Sequence, residues 1–173
     1  MGTRNLTAVY YNGEVKVAQY GQWDGYPSGQ GNTILEFLNN KFKKDEFIKN
    51  LKLCYFGTDE EMDKKYLEEY PQFSRNTAAD ILAMIQDNSA GLMLCNSIDF
   101  AKYSLFCEYA YVIDLDTNEF EFYKGFNKSP VPVGERFSKL EKASDSEYYP
   151  IGLVWKWSLD NLPTVDEMQK LIS

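Results

Sequence analysis

The 173-residue sequence contains no histidine, which removes Ser-His-Asp and Cys-His nucleophile pairs, and the commonest metal ligand, together. The three cysteines, Cys54, Cys95 and Cys107, are far apart in sequence. They lack paired zinc-ligand spacing and read as small apolar groups. Asp114-Leu115-Asp116 puts two carboxylates on one face of a strand end, where they could hold a divalent ion. The same residues border a turn, where Asp is favoured for local hydrogen bonding, and the turn reading is preferred. Gly21, Gly25, Gly29 and Gly31 fit neither GxGxxG nor GxxxxGK[ST], and no lysine follows to meet a phosphate. No catalytic residue, metal site or cofactor is therefore assigned.

The glycine-rich stretch offers a binding surface instead. Gln22, Trp23, Asp24, Tyr26, Ser28 and Gln30 concentrate polar and aromatic groups on one short loop, and Trp and Tyr supply contact area at small entropic cost. The competing reading is a rigid loop that only seals the core edge. Arg4 and Asp24 fall at the same end of one hairpin, where they could form a charge pair, to orient a ligand or, as the preferred reading, simply to close the hairpin. A second candidate surface is the acidic run Asp59, Glu60, Glu61, Asp63, Glu68 and Glu69, for which a solvated helix face is the preferred reading.

The elements that position these residues follow from local pattern. Leu6 to Tyr11, Asn12-Gly13 and Glu14 to Tyr20 read as two strands around a type I′ turn. Gly21 to Gly31 is a loop. Asn32 or Thr33 caps one broken helix, or two, carrying Ile34, Leu35, Phe37, Leu38 and Phe42, then Phe47, Ile48 and Leu51. Thr58 and Glu61 form a capping-box pattern ahead of a short helix containing Met62, Tyr66 and Leu67, which Pro71 closes. Asn76 or Thr77 opens a buried helix with Ala78, Ile81, Leu82 and Ile85 on one stripe.

A second hairpin is predicted from Phe106 to Tyr123 about Asp116-Thr117-Asn118. A long connection from Asn127 to Pro150 is anchored by Phe137 and Leu140. Ile151 to Ser158 is a strand with Trp155 and Trp157 on one face, and Thr164 with Glu167 opens a terminal helix. The order predicts an α/β chain of the α+β type, one domain over residues 1–173, with antiparallel hairpin-built sheets covered by helices.

Composition narrows the class of partner. Eighteen Lys and Arg against 26 Asp and Glu leave a formal net charge of −8, which argues against direct nucleic-acid binding. An acidic protein can dock on the basic groove of a nucleic-acid-handling enzyme, although solubility alone also explains such a balance. The odd cysteine count and the absence of an apolar run near 20 residues predict a cytoplasmic protein without a membrane span.

The opening Met1-Gly2-Thr3-Arg4 with Leu6, the run Gln19 to Gly31, Tyr111 to Asp116 and Glu119 to Tyr123 together resemble a family of small phage, prophage and bacterial proteins. Its members open MGTR and carry a DGYPSG-type loop. The resemblance spans most of the chain and implies kinship with phage inhibitors of host defence, anti-CRISPR proteins among them. What it implies is a counter-defence protein in the bacterial cytoplasm that binds a protein partner, an immune effector such as a CRISPR nuclease.

The order of elements is also similar to N-terminal-nucleophile hydrolases of the choloylglycine type, whose αββα sandwich and amidase activity make the alternative expectation. The sequence departs from them at the nucleophile, since removal of Met1 exposes Gly2 and Thr3 becomes terminal only after further trimming. A metal-dependent nuclease built on Asp114 and Asp116 is the other hydrolase reading.

Overall fold

The computed structural model describes residues 2–62 and 70–173. Strands β1 (Asn5–Tyr11) and β2 (Glu14–Gly21) form the first hairpin. Its turn residues Asn12 and Gly13 have φ of 56° and 74°, the positive pair that a type I′ turn demands. Helices α1 (Asn32–Asn40) and α2 (Lys44–Leu51) follow, then the short strands β3 (Tyr55–Phe56) and β4 (Met93–Leu94), with α3 (Ile81–Gln86) between them. Strands β5 (Tyr109–Asp114) and β6 (Glu119–Lys124) make the second hairpin, and β7 (Gly152–Ser158) and α4 (Val165–Lys170) end the chain.

The main sheet has five strands in the order β2-β1-β5-β6-β7. Both hairpins are antiparallel as expected, but they join through a parallel pair, with Asn5 opposite Tyr109 and Tyr10 opposite Asp114. The reason is where the chain returns. Residues 22–108 leave and re-enter at the same end of the first hairpin, so β5 must run in the direction of β1. The α/β class stands; among the described residues the strands make one five-stranded and one two-stranded sheet, not two large sheets stacked face to face. The second sheet is the two-stranded parallel pair of β3 and β4, and it continues onto the edge of β2, where Asn96 bridges Ala18.

Alternation along the strands divides the interior in two. Val9, Val17, Tyr111, Ile113, Phe120 and Phe122 face the helices and pack with Ile34, Phe37, Phe47, Leu82, Ile85 and Met168. Leu6, Ala8, Ala18, Val112 and Tyr123 face the other way, under Ala101, Phe137 and Ile151. Phe137 and Leu140 thus anchor the 127–150 connection, as expected. Trp157 stacks on Phe120 at 6.0 Å between ring centroids, whereas Trp155 on the same face is 58% exposed.

The expected break between α1 and α2 has a specific cause. Gln86, 6% exposed at the end of α3, accepts the Lys43 N–H at 2.8 Å and donates to the Lys41 carbonyl at 2.7 Å. Asn50 Nδ2 in turn donates to the Gln86 carbonyl at 2.7 Å. One buried amide therefore satisfies both sides of the helix break. Gln86→Leu keeps the volume but orphans both groups, and should cost about 2 kcal/mol. Thermal unfolding should show it as a fall of roughly 4–8 °C.

The Thr164 and Glu167 capping box is formed, with the Glu167 N–H donating to Thr164 Oγ1 at 3.1 Å. The helix expected beyond Thr58 and Glu61 falls largely outside the described residues, as do Asp63, Tyr66, Leu67, Glu68 and Glu69; its opening turn is treated below. No helix among the described residues is long and apolar enough to cross a membrane.

Candidate functional site

The loop after β2 is folded onto the first strand by backbone contacts that only glycine permits. The Gly25 N–H donates to the Thr3 carbonyl at 2.9 Å, the Gln30 N–H to the Asp24 carbonyl at 2.7 Å and the Gly29 N–H to the Tyr26 carbonyl at 2.9 Å. A Cβ on Gly25 would lie 2.7 Å from the Thr3 oxygen, and one on Gly29 would overlap the Asp24 carbonyl.

Two fully buried side chains hold this backbone from beneath. Asn5 Nδ2 donates to the carbonyls of Thr3 and Trp23, both at 3.1 Å. The Tyr111 hydroxyl, in β5, donates to the Gly25 carbonyl at 2.7 Å, and burial pushes its phenol well above the ordinary range. Pro27 then starts a single π-type turn, Pro27–Gly31, that runs directly into α1.

Around this fixed backbone, Gly25 and Pro27 are buried while Trp23, Asp24, Tyr26 and Ser28 face solvent. Trp23 is 45% and Tyr26 39% exposed. Each is nonetheless tied down at its polar end: Trp23 Nε1 donates to Asn76 Oδ1 and the Tyr26 hydroxyl to Asp24 Oδ1, both at 2.9 Å. That bond to Asp24, together with its charge, raises the Tyr26 phenol from its usual value. Asp24 holds a φ of 56°, a left-handed conformation that Asp tolerates better than most residues. Gln22 and Gln30 serve the fold: Gln22 Oε1 accepts from the Tyr20 hydroxyl, and Gln30 Oε1 accepts the Ala79 N–H at 3.1 Å.

The charge pair that Arg4 and Asp24 could make is not formed. The Arg4 guanidinium lies over the Phe106 ring, 5.5 Å from its centroid, and Asp24, turned by its left-handed backbone, is engaged with Tyr26. The acidic run is placed elsewhere. Asp59, Glu60 and Glu61 are exposed, and Glu61 closes the expected capping box, with its Oε1 accepting the Thr58 N–H at 3.1 Å and its own N–H donating to Thr58 Oγ1 at 3.2 Å. Among the described residues no hydrogen bond or ion pair joins this turn to the 22–31 loop.

Asp114 and Asp116 are committed to the fold. The Asp116 carboxylate accepts the N–H groups of Asn12 and Gly13, both at 2.8 Å, and so clips one hairpin turn to the other. Asp114 Oδ1 accepts the N–H groups of Asp116 and Thr117 at 2.9 and 3.1 Å. Its other oxygen meets Arg136 Nη2 at 2.6 Å.

The same guanidinium grips Glu121 side-on at 2.8 and 2.7 Å and lies 4.1 Å from the Tyr10 ring centroid. Tyr123 donates to Glu121 at 2.6 Å. Burial opposes ionisation of Asp114, but the hydrogen bonds from Arg136 and from Thr117 and Asp116 outweigh it and hold the carboxyl below its ordinary range. Sequence reasoning missed this network, because Arg136 comes from the irregular 127–150 connection and nothing local marks it as a partner of β5 and β6.

No protein-family model, curated protein or solved structure matches this chain. What fold and site define is therefore a class: a mixed α/β protein whose Trp23–Gln30 loop presents solvent-facing aromatic side chains on a fixed backbone.

Proposed function

We propose that the chain works by binding a protein partner through the Trp23, Asp24, Tyr26 and Ser28 edge. The observation that carries this reading is the exposure of Trp23 and Tyr26 on a backbone pinned by buried Asn5 and Tyr111. Aromatic side chains already held in place lose little freedom on association, so their contact area converts efficiently into affinity. A loop that merely sealed the core would bury these rings rather than tether them at the surface.

The partner proposed is a bacterial immune effector such as a CRISPR nuclease, which makes the chain a phage or prophage counter-defence protein. Support comes from the resemblance to MGTR-opening phage proteins and from the net charge of −8. The exposed carboxylates of Asp59, Glu60 and Glu61 suit a basic nucleic-acid channel, and would make association salt-sensitive. The hydrolase readings have less to rest on, since Asp114 and Asp116 are occupied by N–H groups and a guanidinium.

The test is co-purification and calorimetry against a panel of purified defence effectors. One effector should bind at micromolar concentration or below, and the Trp23→Ala/Tyr26→Ala double variant should bind it at least about tenfold more weakly at a temperature where both proteins remain folded. Failure to bind any effector of the panel, or equal binding by the double variant, would refute the reading.

A further inference from the structure

The side chains of Met62 and Met93 both crowd Gly57, and the Met62 sulfur also meets that of Cys95. Met93 and Cys95 stand two residues apart on the extended segment that begins with β4, so they share one face, while Leu94 between them turns into the core at 1% exposure. Gly57 lies alongside, its N–H donating to the Leu94 carbonyl at 3.0 Å. The Thr58 and Glu61 capping turn then reverses the chain, and the Met62 N–H closes it on the Thr58 carbonyl at 3.0 Å.

This turn lays Met62 back over Gly57, with its Sδ 3.4 Å from Cys95 Sγ. A Cβ on Gly57 would lie 2.7 Å from Met93 Sδ and 3.1 Å from Met62 Cγ. Glycine is what leaves both methionine side chains room. All three sulfur residues are half-buried, and Met93 lines a surface depression of about 380 Å³ together with Glu60 and Glu61.

We propose that Met62, Met93 and Cys95 form a three-sulfur site for a soft monovalent cation, Cu(I), with Ag(I) as its redox-inert counterpart. Thioethers are neutral soft donors that hard ions such as magnesium and calcium pass over, and a thiolate with thioethers is a donor set that favours Cu(I). A metal–sulfur bond of about 2.3 Å, the length in zinc thiolates, spans the gap between Met62 and Cys95 with a small outward movement. On binding, the Cys95 S–H bond breaks as the S–metal bond forms, the proton passes to solvent, and no electron is transferred.

The resulting thiolate–metal unit is neutral, which suits a half-buried position. Glu60 and Glu61 line the depression onto which Met93 opens, and their charge favours cations there.

The alternative is plain packing, in which methionine and cysteine fill an irregular gap without metal chemistry. The reduced full-length protein is titrated anaerobically with Ag(I) under native mass spectrometry, and Cu(I) affinity is measured by competition with a chromophoric chelator. One equivalent should bind. Cys95→Ser should abolish binding, Met62→Leu/Met93→Leu should weaken it at least about tenfold, the scale on which supporting residues tune metal affinity, and Cys54→Ser should leave it unchanged.

In the unmutated protein, one equivalent of Ag(I) should protect Cys95 from alkylation while Cys54 continues to react, a readout that needs no variant to fold. Absence of a one-to-one complex, equal affinity in the double methionine variant, or protection of Cys54 in place of Cys95 would each overturn the site.

Discussion

Replacing Arg136 with methionine should destabilise the protein by about 4 kcal/mol, a fall in melting temperature of roughly 10 °C. The substitution keeps most of the side-chain length but leaves Asp114 and Glu121, 7% and 5% exposed, as adjacent buried carboxylates without a cation. Their repulsion and desolvation, rather than the lost packing over Tyr10, make up most of the cost.

The pH dependence gives this prediction its sign. In the wild type Asp114 is held below its ordinary value, so its contribution is present above the unfolded carboxyl range, near pH 4, and is lost as pH falls through the lower native value. In Arg136→Met the Asp114 carboxyl, buried without its cation, is instead pushed up, so the folded variant binds more protons than the unfolded chain and gains relative stability as the solution is acidified. Denaturant titrations at pH 7 and pH 5 should therefore show a smaller gap between the two proteins at pH 5. A gap that is constant or wider at pH 5 would mean that the guanidinium is not what keeps Asp114 ionised.

The second large effect is expected at Gly29. Gly29→Ala sets a Cβ against the backbone carbonyl of Asp24, and a carbonyl held by the Gln30 N–H at 2.7 Å cannot rotate aside as a side chain would. The loop must open, and the cost should be about 3 kcal/mol, at the upper end of ordinary overpacking. Near-ultraviolet circular dichroism should lose the contribution of Trp23, and binding to a partner should weaken by more than the loss of stability explains. Unaltered stability and partner affinity would show that the loop has slack, and with it that the recognition edge is not preformed.

What could be read from the sequence was what neighbours along the chain decide. Asn12-Gly13 announced its turn because few other pairs accept two positive φ angles, and Thr164 with Glu167 announced a helix start because their reciprocal bonds span three residues. Phe137 and Leu140 stood out as the apolar residues of a polar connection, and they do anchor it.

What stayed hidden depends on partners distant in sequence. Nothing near Gln86 says that it bridges Lys41 and Lys43, nothing near Asn5 says that it carries the loop eighteen residues on, and Arg136 gives no local sign that it will meet Asp114 and Glu121. The parallel pairing of β1 with β5 belongs to the same group, because strand pattern is silent on the end of a sheet to which a long excursion returns.

At the proposed binding edge the sequence singled out a segment but not the division of labour within it. Gln22 and Gln30 look as available as Trp23 and Tyr26 on paper, and only tertiary contacts with Tyr20 and Ala79 reveal that the two amides are spent on the fold.

Amide hydrogen exchange of the free protein tests the central claim most directly. If Asn5 and Tyr111 hold the Trp23 to Gln30 backbone in place before any partner arrives, the N–H groups of Gly25, Gly29 and Gln30 should exchange only through global unfolding, at the slow rates of β1 and β5. Exchange of those three amides at the rate of an unstructured peptide, while the strands stay protected, would contradict it.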